Sequence, residues 1–175
     1  SNKSISSLAL VSDGAVLAED VRVDPFAIVE DNVEIGPGTH VHSGAIIRSG
    51  ARIGSQCEIH PYAVVAGVPQ DLKFRGEETV VIIGDRTVIR EYVTVSRGTA
   101  SRGKTVIGED CLIMAYAHVA HDCVLRDHVI IGNASQIAGE VEIDDWAILS
   151  GSVLVHQFTL IGRHTMTQGG SRVTK

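Results

Sequence analysis

Two histidines and a carboxylate stand close together in the segment Ala-His-Val-Ala-His-Asp-Cys, residues 117–123. Histidine changes its charge near neutral pH and therefore suits a general base, and a neighbouring carboxylate can orient the imidazole. His121 followed directly by Asp122 offers this pair, and His118 lies three residues earlier. Single histidines on a repetitive surface are usually only solvated, and we interpret five others in this way: His40, His42, His60, His128 and His164.

A strict six-residue repeat must position these side chains. Counted in steps of six from Ile5 to Val173, 25 of 29 positions are Ile, Leu or Val. The exceptions are Asp71, Glu77, Ser101 and Thr167. Neither the 3.6-residue period of a helix nor the two-residue alternation of a strand produces such a column, so the period belongs to a repeating fold.

Each six-residue unit is predicted to be a short strand plus a turn, which makes the chain an all-β solenoid. The position two residues before each column aliphatic is mostly small, so one large and one small side chain per unit fill a narrow interior. Three units close an 18-residue triangular coil, and coils stack as parallel strands about 4.8 Å apart. Glycines directly after column aliphatics are expected at turns that need unusual backbone angles: Gly36, Gly54, Gly84, Gly108, Gly132 and Gly162.

Two polar segments interrupt the column without changing its phase. We predict that both, near residues 66–80 and 96–104, are loops inserted into one solenoid domain over residues 1–175. Loops on a rigid scaffold often hold functional residues. Because the column continues to Val173 without an obvious cap, we expect this sequence to be a fragment of a longer protein.

The 18-residue coil lets the sequence be read vertically, because residues 18 apart lie one above another. His121, Gly139 and Gln157 then form one column, and His156 lies in the neighbouring column. At the strand spacing these groups converge within about 10 Å. They offer a base, a carboxylate to orient it and a backbone N–H at Gly139 that suits an oxyanion.

Composition limits the remaining classes of function. The net charge of −6 argues against a nucleic-acid binder. No apolar run reaches the roughly 18 residues of a membrane span. The three cysteines, Cys57, Cys111 and Cys123, occupy the small position of the repeat. We interpret them as buried small side chains in a protein of the reducing cytoplasm.

A metal site is the rival interpretation of the histidines. Trimers of the gamma-class carbonic anhydrase kind bind zinc with three histidines, and His118, His121 and His156 are the candidates here. The spacing of three between His118 and His121 is narrower than that family uses, and a stacked Gly139 would have no purpose at a metal. We therefore expect no metal in this site.

Four motifs occur in order along the chain: residues 67–74 (GVPQDLKF), 89–99 (IREYVTVSRGT), 117–123 (AHVAHDC) and 155–158 (VHQF). Together they resemble the acyl-carrier-protein-dependent UDP-N-acetylglucosamine O-acyltransferases of lipid A synthesis, through essentially the whole chain. The resemblance implies a left-handed parallel β-helix, a cytoplasmic homotrimer with active sites between neighbouring prisms, and transfer of a 3-hydroxyacyl chain from acyl carrier protein to the sugar 3-hydroxyl. The acyl chain would arrive on the carrier's 4'-phosphopantetheine, so no other cofactor is expected.

The resemblance also implies a role for each site residue. His121 matches the general base of the family, Asp122 the residue that orients it, and Gly139 the backbone N–H that stabilises the oxyanion. Substrate contacts are implied at six positions: Asp71, Lys73, Ser96, His118, His156 and Gln157. Gly169 matches the position that limits acyl length, and a glycine there implies room for a long chain.

Departures from the family leave alternatives open. Ser96 and Glu140 stand where the family commonly has histidines, so we expect altered substrate contacts and intact chemistry. The family continues into a C-terminal helical domain that this chain lacks, and we expect the fragment to lack full activity. The competing functions are a UDP-3-acyl-glucosamine N-acyltransferase, a coenzyme-A-dependent acetyltransferase and a non-catalytic solenoid platform. The Pro-Gln-Asp-Leu-Lys loop and the early start of the repeats favour the O-acyltransferase.

Overall fold

The computed structural model describes residues 2–174, which wind into a three-sided parallel β-coil. Within this range the chain forms 26 short strands and no helix, so no helix there is long and apolar enough to cross a membrane. Every third strand belongs to the same sheet, and all pairings are parallel. The chain therefore passes in turn through three sheets that form the sides of a triangular prism.

The strands of each sheet follow in stacking order. The first sheet contains β1 (Ser4–Ile5), β4 (Arg22–Val23), β7 (His40–Val41), β10 (Glu58–Ile59), β13 (Val88–Ile89), β16 (Leu112–Ile113), β19 (Ile130–Ile131), β22 (Ile148–Leu149) and β25 (Met166–Thr167). The second contains β2 (Leu10–Val11), β5 (Ile28–Val29), β8 (Ile46–Ile47), β11 (Val64–Gly67), β14 (Thr94–Ser96), β17 (His118–Val119), β20 (Gln136–Ile137), β23 (Leu154–Val155) and β26 (Arg172–Val173). The third contains β3 (Val16–Leu17), β6 (Glu34–Ile35), β9 (Ala51–Ile53), β12 (Val80–Ile83), β15 (Lys104–Ile107), β18 (Val124–Leu125), β21 (Glu142–Ile143) and β24 (Leu160–Ile161).

The register shows the 18-residue coil and its two interruptions. Val119 pairs with Ile137, 18 residues later, as the sequence predicts. Val95, by contrast, pairs with Val65 on one side and Val119 on the other, because each of these coils contains extra residues. The extra residues form two loops at the same corner of the prism, residues 68–79 between β11 and β12 and residues 97–103 between β14 and β15. This corner joins the second sheet to the third.

The six-residue column forms the hydrophobic core. Ile59, Ile113 and Ile131 are fully buried, and they illustrate a stack that continues through the prism. Burial of one such side chain contributes about 1.5–3 kcal/mol relative to its exposure to water. Asp71 and Ser101, two exceptions to the column, lie in the inserted loops, where no core position has to be filled.

The cysteines are buried and free, as predicted. Cys57, Cys111 and Cys123 are at most 1% exposed and belong to the core. Burial raises the pKa of the Cys111 thiol to about 11 and that of the Cys123 thiol to about 12. The thiolate is the reactive form of cysteine, so these two thiols are unreactive near neutral pH.

Glycine is required after the column aliphatics for a different reason from the predicted one. Gly36 and Gly84 do not have positive φ angles, whereas Gly38 does, with φ +72°. A Cβ atom added to Gly36 would lie 2.7 Å from the carbonyl carbon of Gly54, and one added to Gly84 would lie 2.6 Å from that of Gly108. The prediction of unusual backbone angles was wrong there. Glycine is needed because successive coils approach each other closely at these positions.

Candidate active site

His121 lies two residues after the end of β17, at the corner that also bears both inserted loops. Gly139 occupies the same position one coil above it. A Cβ atom added to Gly139 would lie 2.6 Å from both Cε1 and Nε2 of the His121 ring. The imidazole therefore packs directly against the Gly139 backbone, and only glycine leaves room for it. This contact is the vertical stacking that the 18-residue coil predicts.

Asp122 is fully buried and forms a close pair with His121. Its Oδ2 atom lies 2.8 Å from His121 Nδ1. The carboxylate also accepts hydrogen bonds from the backbone N–H of Thr99, at 3.0 and 3.2 Å, and from that of Arg102, at 3.2 Å. The Thr99 hydroxyl is a further donor. The loop of residues 97–103 thus supplies the donors that compensate a buried negative charge.

This hydrogen bonding determines which nitrogen of His121 is available to a substrate. An ionised carboxylate is only an acceptor, so His121 Nδ1 has the proton and donates it to Asp122. Nε2 then has the lone pair. The His121 side chain retains 11% exposure, and Nε2 lies 3.8 Å from Asp71 Oδ2. A histidine that is oriented through Nδ1 and keeps Nε2 accessible has the arrangement that a general base requires.

Asp71 reaches this site from the other inserted loop, residues 68–79. Arg97 holds this loop in place, because its guanidinium donates to the Glu77 carbonyl at 2.8 Å and lies over the Phe74 ring at 5.0 Å from the centroid. Asp71 also accepts a hydrogen bond from the Lys73 backbone N–H at 2.9 Å. The loop of residues 68–79 thus reaches Nε2 of His121 through Asp71, whereas the loop of residues 97–103 acts on Nδ1 through Asp122.

A cleft of about 790 Å³ opens beside His121 along the second sheet. Six of the predicted site residues line it: Ser96, His118, His121, Gly139, His156 and Gln157. His118 Nδ1 lies 2.6 Å from the Thr94 hydroxyl, and burial lowers the pKa of this histidine. His118 is therefore a neutral hydrogen-bonding group in the wall of the cleft.

A second cleft, of about 390 Å³, lies between the two inserted loops. It is lined by Asp71 and Lys73, which the sequence predicts as substrate contacts, and by Gln157, which also lines the first cleft. Gly169 lines neither cleft and is exposed, with Gly151 O at 3.3 Å from the position of its missing Cβ. The structure thus brings together every predicted site residue except Gly169.

Several residues that shape the site were not among the predicted ones. Thr99 holds Asp122, as described above, and Ser101 donates to Glu140 Oε1 at 2.6 Å. Arg102 lies 3.4 Å from Glu142 and 4.0 Å from Glu140. Glu140 was noted in the sequence as a departure from the family pattern, and it stands 18 residues after Asp122. The loop residues could not be placed in this way, because a loop has no repeat to align.

The comparison with protein families defines a class. Residues 14–49 and 104–139 match the bacterial transferase hexapeptide (six repeats) family. The chain thus combines repeats similar to those of hexapeptide transferases with a buried histidine–carboxylate pair beside a cleft.

Relatives with curated descriptions give the particular family. The chain is 54% identical to the acyl-[acyl-carrier-protein]–UDP-N-acetylglucosamine O-acyltransferase of Pseudomonas fluorescens over 172 residues, which are 98% of this chain and 67% of that protein. It is 55% identical, over the same shares, to the protein of the same description from Pseudomonas syringae pv. syringae. The chain belongs to the acyl-[acyl-carrier-protein]–UDP-N-acetylglucosamine O-acyltransferase family.

Solved structures agree in fold over nearly the whole chain. LpxA from Acinetobacter baumannii superposes with a TM-score of 0.95 at 40% identity, covering 97% of this chain and 66% of that one. LpxA from Bacteroides fragilis, described as a UDP-N-acetylglucosamine acyltransferase, gives 0.95 at 46% identity, covering 95% and 66%. The predicted left-handed parallel β-helix is confirmed. The chain spans about two thirds of the length of these relatives.

Proposed function

We propose that this protein transfers a 3-hydroxyacyl chain from acyl carrier protein to the 3-hydroxyl of UDP-N-acetylglucosamine, the first step of lipid A biosynthesis. One observation supports this reaction above all. In a chain that belongs to the family, His121 is held between the buried Asp122 carboxylate, 2.8 Å from Nδ1, and the Gly139 backbone, beside a cleft. The acyl chain arrives on the 4'-phosphopantetheine of the carrier, so the protein needs no cofactor of its own. The reaction takes place in the cytoplasm.

The proposed mechanism is direct attack on the thioester. His121 Nε2 removes the proton from the sugar hydroxyl as its oxygen attacks the thioester carbonyl. The C–S bond then breaks, and the imidazolium returns the proton to the departing phosphopantetheine thiolate. Asp122, at 2.8 Å from Nδ1, stabilises the imidazolium that forms between these steps. No covalent enzyme intermediate is required, which agrees with the buried, unreactive thiols of Cys111 and Cys123.

Gly139 supplies the proposed oxyanion contact. Its carbonyl accepts a hydrogen bond from Phe158 N–H, whereas its own N–H donates to no protein group within residues 2–174. Gly139 is adjacent to the base, because a Cβ added to it would lie 2.6 Å from His121 Nε2, and we therefore assign this free N–H to the thioester carbonyl. A preorganised N–H of this kind stabilises the negative charge of the tetrahedral intermediate.

The two clefts suggest how the substrates are placed. Lys73 is exposed in the smaller cleft and is the cation that we assign to the diphosphate of the sugar nucleotide. Ser96, His118, His156 and Gln157 line the larger cleft, where we place the sugar and the start of the acyl chain. This cleft extends along the second sheet to Arg172, three residues after Gly169. We therefore assign Gly169 to the far end of the acyl chain, where a neighbouring prism of a homotrimer would close the open side.

The test is a panel of donors and acceptors given to the purified protein. We expect product from 3-hydroxyacyl carrier protein with UDP-N-acetylglucosamine. Acyl transfer to the amine of UDP-3-acyl-glucosamine instead would favour the N-acyltransferase, and transfer from acetyl-coenzyme A would favour an acetyltransferase. Absence of transfer with every pair, in a protein that is trimeric by analytical ultracentrifugation, would contradict the proposal.

A further inference from the structure

Outside both clefts, five side chains with metal-binding chemistry meet at the corner between the first and second sheets. We name this group the histidine corner: Asp24, His40, His42, Glu58 and His60. The repeat itself assembles it. Asp24, His42 and His60 stand 18 residues apart in one vertical column, and His40 and Glu58 are partners in the register of β7 and β10.

The histidines of this corner are not simply solvated, and that interpretation of the sequence was wrong for them. His40 Nε2 lies 2.8 Å from Asp24 Oδ2, and His42 Nε2 lies 2.8 Å from Glu58 Oε1. The side chains of His40 and His42 are only 17% and 22% exposed. Their rings stack with centroids 3.7 Å apart, and the ring of His60 stacks on His42 at 4.5 Å. Three imidazoles and two carboxylates are thus gathered from three successive coils.

The donor atoms are close enough to share one ion. One ligand atom from each of Asp24, His40 and His42 lies within 4.8 Å of the others, and the same holds for His42, Glu58 and His60. His42 is common to both sets. A zinc ion binds imidazole nitrogen at about 2.0–2.1 Å and carboxylate oxygen at about 2.0–2.2 Å. Small side-chain rotations therefore suffice to replace the present hydrogen bonds with bonds to a metal.

We propose that the histidine corner binds one divalent transition-metal ion of the zinc type, with His42 as its central ligand. Imidazole nitrogen favours zinc, nickel and copper, whereas magnesium and calcium prefer oxygen ligands, so the three histidines select the first group. The ion would join three consecutive coils, and none of its ligands lines either cleft of the active site. Its role is therefore structural, and the proposal does not depend on the acyl-transfer mechanism.

The test begins with protein dialysed against EDTA and then titrated with Zn²⁺ by isothermal calorimetry at constant pH. We expect one Zn²⁺ per chain, and at least tenfold weaker binding in the His42→Ala variant. Co²⁺ as a second probe should give visible d–d absorption of a tetrahedral site in the parent. The His128→Ala variant is the matched control, because His128 is also stacked on a ring and lies near a carboxylate, but at another corner.

The outcomes separate this site from its rivals. Equal Zn²⁺ affinity in the parent and in His42→Ala would overturn the proposal. Loss of binding in His121→Ala with His42→Ala unchanged would place the ion in the active-site cleft and would also overturn it. If His42→Ala does not fold by circular dichroism, the His42→Asn variant replaces it, because asparagine keeps a hydrogen-bond donor for Glu58. The same tenfold weakening is expected there.

Discussion

The Asp122→Asn substitution tests how the active site selects the nitrogen that acts as base. It keeps the shape of a fully buried side chain and removes its charge. The single oxygen of asparagine will stay with the backbone donors of Thr99 and Arg102, which the loop holds in place. Its NH₂ group then faces His121 Nδ1, which must become an acceptor. The proton moves to Nε2, and the atom that should accept the substrate proton is blocked.

The expected magnitude follows from the loss of general-base catalysis. Such catalysis contributes about 10²–10⁴-fold, so kcat should fall by that factor, equivalent to about 2.7–5.4 kcal/mol at 1.36 kcal/mol per tenfold. Stability should fall less, by about 1–3 kcal/mol, because neutral hydrogen bonds replace charge-assisted ones in a buried position. The KM for the sugar nucleotide should change little, since Asp122 itself is not exposed to the cleft.

The assay is steady-state acyl transfer at saturating concentrations of both substrates, with thermal unfolding measured on the same samples. Asp127→Asn is the matched control, because Asp127 also accepts a backbone hydrogen bond, from Glu109 at 2.8 Å, at a corner away from the cleft. The control should retain nearly full kcat. A folded Asp122→Asn variant with kcat within threefold of the parent would refute the assignment of the histidine tautomer.

Three further predictions follow from the site and the core. In Gly139→Ala the new Cβ would lie 2.6 Å from the His121 ring and displace the ring. We expect kcat to fall about 10²-fold while the circular dichroism spectrum stays that of the parent. An unchanged kcat would show that Gly139 does not confine the ring. Ile131→Ala should lower the free energy of unfolding by about 2–5 kcal/mol in urea titrations, and a loss below 1 kcal/mol would contradict tight stacking of the column. Burial lowers the pKa of His118 in the folded protein. As the pH falls below about 6.5, the unfolded chain therefore binds a proton at this residue before the folded protein does, and the free energy of unfolding decreases. The unfolding temperature should decrease less between pH 7 and pH 5 in His118→Gln than in the parent. Equal dependence of the unfolding temperature on pH in the two proteins would contradict this prediction.

The fold was predictable because the physical constraint repeats every six residues. A narrow prism admits one large and one small side chain per side, and this requirement is visible as the column of aliphatics. The same period predicted the contact between His121 and Gly139, which the structure shows. The prediction for Gly36 and Gly84 failed because the sequence shows where a glycine stands but not which physical constraint requires it there. Both the close approach of two coils and a positive φ angle favour glycine, and only the structure distinguishes these two causes.

The parts of the site that lie in loops were not predictable from the period. Thr99 and Arg102 compensate the charge of Asp122 mainly through backbone N–H groups, which every residue except proline has. Arg97 anchors Asp71 through Phe74 and a carbonyl, contacts that depend on the path of an irregular chain. The histidine corner was different, since its vertical column was present in the sequence. It was missed because its histidines were considered one at a time.

The most direct test of the central claim is acyl transfer by the His121→Ala variant. We predict that kcat/KM falls by at least about 10²-fold while folding and affinity for UDP-N-acetylglucosamine, measured by calorimetry, stay close to those of the parent. His164→Ala, which alters an exposed histidine at another corner, should have full activity. A folded His121→Ala variant that transfers the acyl chain at the parental rate would contradict His121 as the general base.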